Sequence, residues 1–356
     1  MRNILDLPPY IEELDTIASM HDFSRLENAS VMISGATGML GSFLVDLLMH
    51  VGGIHVVALG RSRAKANSRF PYHFDSPFFS FVECDVSHPI PSDINVDFII
   101  HAASTTHPVA YATEPIGTVT SNVLGTMNLL DYGISHGMKR FVFLSSVEVY
   151  GENRGDVERF DEEYCGYINS NTLRAGYPES KRLCESLCQA YRKQFGCEIV
   201  IPRIARSFGP TMQMSDTKAI AQFIKKGLAG EDIVLKSEGT QLYTYTYTPD
   251  AVSGILACML RGEDGEAYNV AFNGGDITLR DLASEIASIC NVDVVFDSPD
   301  ATERAGYSTA TKALLDCSKI ETKLRWHNRY SITKGLQRTL NQLRLLSTEK
   351  GSDDIA

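Results

Sequence analysis

Two stretches of the chain hold side chains that could move protons and hydride. In "AGYPESK", Tyr177 precedes Lys181 by four residues. On a helix that spacing puts phenol and ammonium on one face. Such a pair is either a contact on a solvated surface or a phenol whose proton a cation manages. In "SGATGMLG", Gly35, Gly38 and Gly41 stand between a short apolar run and an apolar helix-length segment. A strand before and a helix after are the context in which this spacing binds a dinucleotide. Gly35 permits the tight turn, Gly38 lets backbone amides approach a pyrophosphate, and Gly41 lets the helix pack closely on the sheet. Thr37, Met39 and Leu40 belong to the same turn and are expected to line the cofactor.

The end of the second strand bears on which dinucleotide that is. An NAD site usually places an acid there, to hold the ribose hydroxyls. This chain has "ALGRSR", with Gly60 at that place and Arg61 and Ser62 after it. Guanidinium and hydroxyl groups suit a 2′-phosphate. NAD and NADP both stay open, with this loop favouring NADP; the other reading is a solvated basic loop. Asp85, with Val86 in "ECDV", either meets the adenine edge or caps a turn.

The elements that must position these groups follow a regular rhythm. "VMISG", "IHVVALG", "FFSFVECDV", "VDFIIHAAS" and "KRFVFLSSVEVYG" are apolar runs separated by helix-length segments, and "CEIVIPRIA" continues the series. Strands alternating with helices predict an α/β fold: a Rossmann-type, doubly wound parallel sheet covered on both faces. Later the rhythm loosens. "TKAIAQFIKKGLAG" reads as an amphipathic helix and "TQLYTYTYT" as a half-exposed strand, so a smaller C-terminal α/β domain is expected. The division predicted is an extension over 1–29, a dinucleotide-binding domain over 30–202 with a return segment near 240–262, a substrate domain over 203–239 and 263–340, and a tail over 341–356.

Composition narrows the classes. The chain has 356 residues, 44% hydrophobic, with a net charge of −11. That balance argues against a nucleic-acid partner bound through a basic face. The eight cysteines show neither CxxC nor zinc-type spacing, so no metal is expected. The first thirty residues carry acids and two prolines rather than a basic start and an apolar run, and no apolar stretch reaches membrane-spanning length. A cytoplasmic protein with reduced thiols and no membrane contact is the expectation.

"GATGMLG", "HAAS" (101–104), "SSVEVYG" (145–151) and "YPESK" (177–181) stand in order. Together they resemble the extended short-chain dehydrogenase/reductase family, whose epimerase/dehydratase members modify nucleotide sugars. The resemblance covers roughly residues 30 to 340. Within the family, "SSVEVYG" and "GPTMQMSDTKAIAQFI" look most like UDP-glucuronate decarboxylases. It implies a nucleotide-diphosphate sugar as substrate and a homodimer built through helices, the "YPESK" helix among them. Tyr177 would take the sugar hydroxyl proton. A free phenol titrates near 10, so acting at neutral pH requires about 4 kcal/mol of anion stabilisation, with Lys181 and the nicotinamide as sources. Lys181 would also hold the nicotinamide ribose, and Ser146 would bond the reacting oxygen. Ala102, Ala103, Ser104 and Asn122 would face or support the cofactor, and Tyr150 would shape the nicotinamide pocket. Thr105 and His107 would face the substrate.

Glu148 would lie beside Ser146 on an extended strand, the two pointing the same way. The family's dehydratases carry Asp-Glu here; Val147 replaces that Asp and cannot donate a proton, which counts against 4,6-dehydration. Two departures bear on the substrate. Tyr243 stands where the family's arginine grips the diphosphate, and Arg206 where an asparagine is usual. The readings kept open are decarboxylase, epimerase, dehydratase, a net NADPH-dependent reductase of a 4-keto sugar, and a non-catalytic NADP-sensing protein.

Overall fold

The computed structural model describes residues 3–106, 108–298 and 311–347. Its large sheet is built from β1 (Ser30–Ser34), β2 (His55–Gly60), β3 (Phe79–Glu83), β4 (Phe98–His101), β5 (Arg140–Phe143), β6 (Ser145–Ser146), β7 (Glu198–Ile204) and β11 (Ala267–Val270). The order is β11-β7-β5-β4-β1-β2-β3, with β6 paired to β7. Every pairing is parallel. Alternate residues of these strands feed two separate cores. Val31, Ile33, Val56 and Ile100 pack on one face, and Met32, Val57, Leu59 and Ile99 on the other. Burial on both faces is why the strands read as unbroken apolar runs. Strand order reverses between β1 and β4, so a crevice opens at their carboxyl ends.

The covering helices are α1 (Pro8–Ala18), α2 (Met39–Val51), α3 (Arg63–Arg69), α4 (Pro108–Thr113), α5 (Pro115–Ser135), α6 (Gly176–Phe195), α7 (Ala219–Ala229), α8 (Thr248–Arg261), α9 (Leu279–Cys290), α10 (Ser318–Leu324) and α11 (Ile332–Ser347). The N-terminal segment is an integral layer. Tyr10, Leu14 and Ile17 of α1 are fully buried. Tyr10 donates its hydroxyl to Asp46 of α2 at 2.6 Å, and that buried carboxylate also pairs with Arg69 and His73. Glu13, fully buried, accepts from Tyr247, Gln342 and Arg338.

A second sheet joins β12 (Asp276–Thr278), β10 (Leu242–Tyr247) and β14 (Lys312–Ala313), with β8 (Arg206–Phe208) paired to β10. A further pair is β9 (Ile233–Leu235) with β13 (Val294–Phe296). Within 240–262, β10 lies in the small sheet while α8 packs on β5 and β7 of the large one, and β11 then adds its edge strand. The half-exposed strand expected there is instead buried from Tyr243 to Tyr247. The C-terminal helix runs to Ser347, through the expected start of the tail. No helix among the described residues is long and apolar enough to cross a membrane, and the eight cysteines are free thiols.

Candidate active site

The glycine turn is made by sterics. Gly35 has φ +67°, and a Cβ there would lie 2.7 Å from the backbone nitrogen of Ala103, in the loop after β4. A Cβ on Gly41 would strike the carbonyl oxygen of Gly35. Gly38 is the N-cap of α2 and brings no side chain to the helix end. The first amides of a long helix, beside a floor no side chain could share, fit the pyrophosphate of a dinucleotide. A segment from the other side of the crevice crosses this turn. Thr211 donates to the Met39 carbonyl at 2.8 Å and Gln213 to the Thr37 carbonyl at 2.7 Å, while Lys65 donates to the Gln213 side chain at 2.8 Å. Leu40 turns toward the core.

At the end of β2 the polar groups divide their roles. Ser62 caps α3 by accepting from the Lys65 amide. Arg61 is exposed, and its charge, second to burial, draws down the Lys65 ammonium pKa. Asp85 caps its own turn, accepting from the amide and hydroxyl of Ser87. Its carboxyl lies below the usual range because these bonds, with help from Arg61, outweigh burial. Val86 is buried under α5, against Gly125.

Tyr177 projects from the first turn of α6 and is 6% exposed. Burial pushes its phenol up to about 12; hydrogen bonding to Ser146, then Arg174 and Ser104, pulls the other way, and Glu148 adds to the rise. The Lys181 ammonium is bonded to the strand end packed beside α6. It donates to the Leu144 carbonyl at 2.8 Å and lies 4.7 Å from the Phe143 ring centre. Burial lowers it to about 8. A guanidinium that draws the phenol down is that of Arg174, three residues before it in the sequence.

Asn122 is a positioning residue, wholly buried, and cannot touch a cofactor directly. Its carbonyl accepts from Ser104 at 2.7 Å, and its amide donates to Ser180 at 2.9 Å, tying the loop after β4 to α6. The Ser104 hydroxyl is thus fixed beside Tyr177. Tyr150 is also fully buried: it bonds Asn269 at 2.6 Å and receives Arg203, so it tethers core elements rather than shaping a pocket.

The strand expected to carry both Ser146 and Glu148 stops at Ser146. Residues 147–150 form a 3-10 turn, capped by Ser146 accepting from the Glu148 amide. The turn sinks Val147 into the core and lifts Glu148 into the crevice. There the carboxylate meets Arg174 at 2.7 Å and Arg206 at 3.5 Å. Both guanidinium groups rest on aromatic rings: Arg174 at 4.8 Å from the centre of Tyr111, and Arg206 at 3.7 Å from that of Tyr243. Tyr111 stacks in turn on Tyr177, centroids 5.1 Å apart. Sequence reasoning missed Arg174 and Tyr111. Arg174 was legible only as a cation one turn before a reactive phenol, and α4 brings Tyr111 in from 66 positions away. Thr105 and Thr106 lie in the half-buried loop after β4, where Lys218 reaches Thr106 at 3.1 Å. His107 lies outside the described residues.

Residues 31–271 match the model of the NAD dependent epimerase/dehydratase family. The UDP-glucuronic acid decarboxylase 3 of Arabidopsis thaliana is 31% identical, over 87% of this chain and 87% of its own. The dTDP-glucose 4,6-dehydratase of Streptomyces venezuelae, solved with NAD, is 26% identical and superposes with a TM-score of 0.77 over 89% of this chain and 97% of its own. The UDP-glucuronic acid 4-epimerase of Bacillus cereus, solved with UDP-glucuronic acid and NAD, shares the fold at 22% identity and a TM-score of 0.76, over 89% and 99%. With the glycine turn, the sheet order and these matches in agreement, the chain belongs to the NAD dependent epimerase/dehydratase family.

Proposed function

We propose that the chain modifies a nucleotide-diphosphate sugar through a transient 4-keto sugar, as a UDP-glucuronate decarboxylase-like enzyme. One observation carries the reading: Tyr177, bonded by Ser146 and Ser104, shares its crevice with the Glu148 carboxylate, while the neighbouring Val147 is buried and apolar. A carboxylate without a partner acid suits carbon–carbon cleavage beside a ketone better than elimination of water.

The glycine turn, Ala102 and Ala103 would hold the dinucleotide, with Lys181 on its nicotinamide ribose. When bound, NAD would supply reversible hydride chemistry at C4 of the sugar. The buried phenol lacks anion stabilisation that the positive nicotinamide would supply; Tyr177, as phenolate, then takes the O4 proton as the ketone forms, and Ser146 and Ser104 orient that oxygen. In a 4-keto uronic acid the carboxylate is β to the ketone. The C5–C6 bond breaks, C6 leaves as CO2, and the electron pair moves onto the C4 oxygen as an enolate. Hydrogen bonds from Ser146 and the Tyr177 phenol stabilise that oxygen. A proton from water adds to C5, Glu148 being the carboxylate placed to guide it. Tyr177 then returns its proton to O4.

A second reading, a net reductase drawing NADPH from solution, is favoured by the clustered charges of Arg61 and Lys65. An α5/α6 homodimer is also proposed, supported by exposed Ile116, Leu124 and Leu183 on the packed helix pair. The test is direct. Denatured protein should release about one equivalent of NAD, and incubation with UDP-glucuronate should yield a product lighter by about 44 Da, the mass of CO2. Product with unchanged mass, or lighter by about 18 Da, would replace decarboxylation by epimerisation or dehydration; protein free of cofactor would favour the reductase.

A further inference from the structure

Among the described residues, the partly buried Arg174 and Arg206 differ from Arg140 and Arg203 in what they leave unpaired. Arg140 and Arg203 give their N–H groups to carboxylates and main-chain carbonyls. In contrast, Nε and Nη1 of Arg174 and Nη1 of Arg206 are buried with no hydrogen-bond partner. A buried donor without an acceptor is costly, so such groups mark either strain or a missing ligand. Here three of them sit in one crevice, around one carboxylate. Two guanidinium charges share Glu148, which leaves one positive charge unmatched. The aromatic faces of Tyr111 and Tyr243 hold both guanidinium planes, so their edges are presented in fixed directions. A planar fork of N–H donors is the natural partner of a carboxylate.

We propose that Arg174 and Arg206 form the subsite for a carboxylate carried by the sugar ring, and that Arg206 makes the chain select a nucleotide uronic acid over the neutral hexose. The inference rests on the reading above, that a nucleotide sugar presents its C4 to Tyr177. Position argues for the sugar carboxylate over the diphosphate. Arg174 acts on the Tyr177 phenol and lies over the ring that stacks on it, so the subsite is at the reacting end of the sugar. C6 hangs from C5, next to C4, whereas the diphosphate leaves from C1 across the ring. Arg206 owes its place to β8, which pairs with β10 so that Arg206 stands opposite Tyr245, two residues past Tyr243.

The test compares the parent with Arg206→Gln and Arg206→Lys, all NAD-loaded. UDP-glucuronate, UDP-glucose and UDP are titrated by calorimetry, and kcat and KM are measured for UDP-glucuronate. The parent should prefer UDP-glucuronate to UDP-glucose. Arg206→Gln should bind UDP-glucuronate about tenfold or more weakly and raise its KM, while UDP and UDP-glucose stay within about twofold; Arg206→Lys should recover part of the loss. If all three ligands weaken together, Arg206 grips the diphosphate and the proposal is overturned. It is equally overturned if UDP-glucuronate binding does not change, since Arg206 then only balances Glu148. A parent that binds none of the three overturns the nucleotide-sugar reading and the subsite with it, a result distinct from either variant outcome. Unchanged NAD binding and circular dichroism serve as the fold control.

Discussion

In the proposed reaction turnover depends on Tyr177, whose surroundings say how it is tuned. Burial and Glu148 raise the phenol; Ser146, Arg174 and Ser104 restrain the rise. Tyr177→Phe should lower kcat by a factor on the order of 10² to 10⁴, with nucleotide-sugar binding kept, as titration calorimetry beside steady-state rates would show. Lys181 supports a pH prediction. Its folded pKa of about 8 lies below the ordinary lysine value. Between about 8 and 10.4 the unfolded chain binds more protons than the folded one, so stability rises with pH through that window. Lys181→Met should lack this rise; urea titrations at pH 7 and 10 would reveal it, and parallel pH dependences would refute the assignment. Tyr177 and Ser146 were legible in the sequence because "SSVEVYG" and "YPESK" stand in the order that the family resemblance requires. The direction in which Lys181 points was not, because helical periodicity fixes a face and leaves the choice of acceptor to the strand packed against it.

Among the elements, the glycine turn was the most legible, since close backbone approach excludes every side chain. Gly41→Val would drive a side chain into the carbonyl of Gly35. The purified variant should lose its bound NAD, detected by absorbance of the denatured supernatant, while a Gly117→Ala control, helical and with nothing near its Cβ, should retain it. The segment after β5 was less legible. "SSVEVYG" alternates like a strand, yet Ser146 bonds the Glu148 amide and turns the backbone, a local competition that hydrophobic pattern does not register. Helices α5 and α6 carry a further prediction. Leu183 is 49% exposed on α6. If this helix pair makes the homodimer, Leu183→Glu should shift sedimentation toward the monomer; an unchanged profile would place the contact elsewhere.

At the scale of the whole molecule, the N-terminal segment joins parts that sequence reading kept apart. Its helical spacing was plain, but its partners come from α2, β10 and α11, too distant in sequence for local pattern to connect. Glu13→Ala would leave Tyr247 and Gln342 without their acceptor, while Arg338 keeps Glu12 and the Pro9 carbonyl, and should cost about 1–3 kcal/mol, measured by denaturant unfolding, without directly altering Tyr177 chemistry. The crossing made by Thr211 and Gln213 has a different kind of consequence. If a dinucleotide lies between this turn and the crossing segment, its departure would require those tethers and the Lys65 prop to let go. Residence time would then be governed by how often this gate swings, so one cofactor molecule would serve many catalytic cycles before exchange.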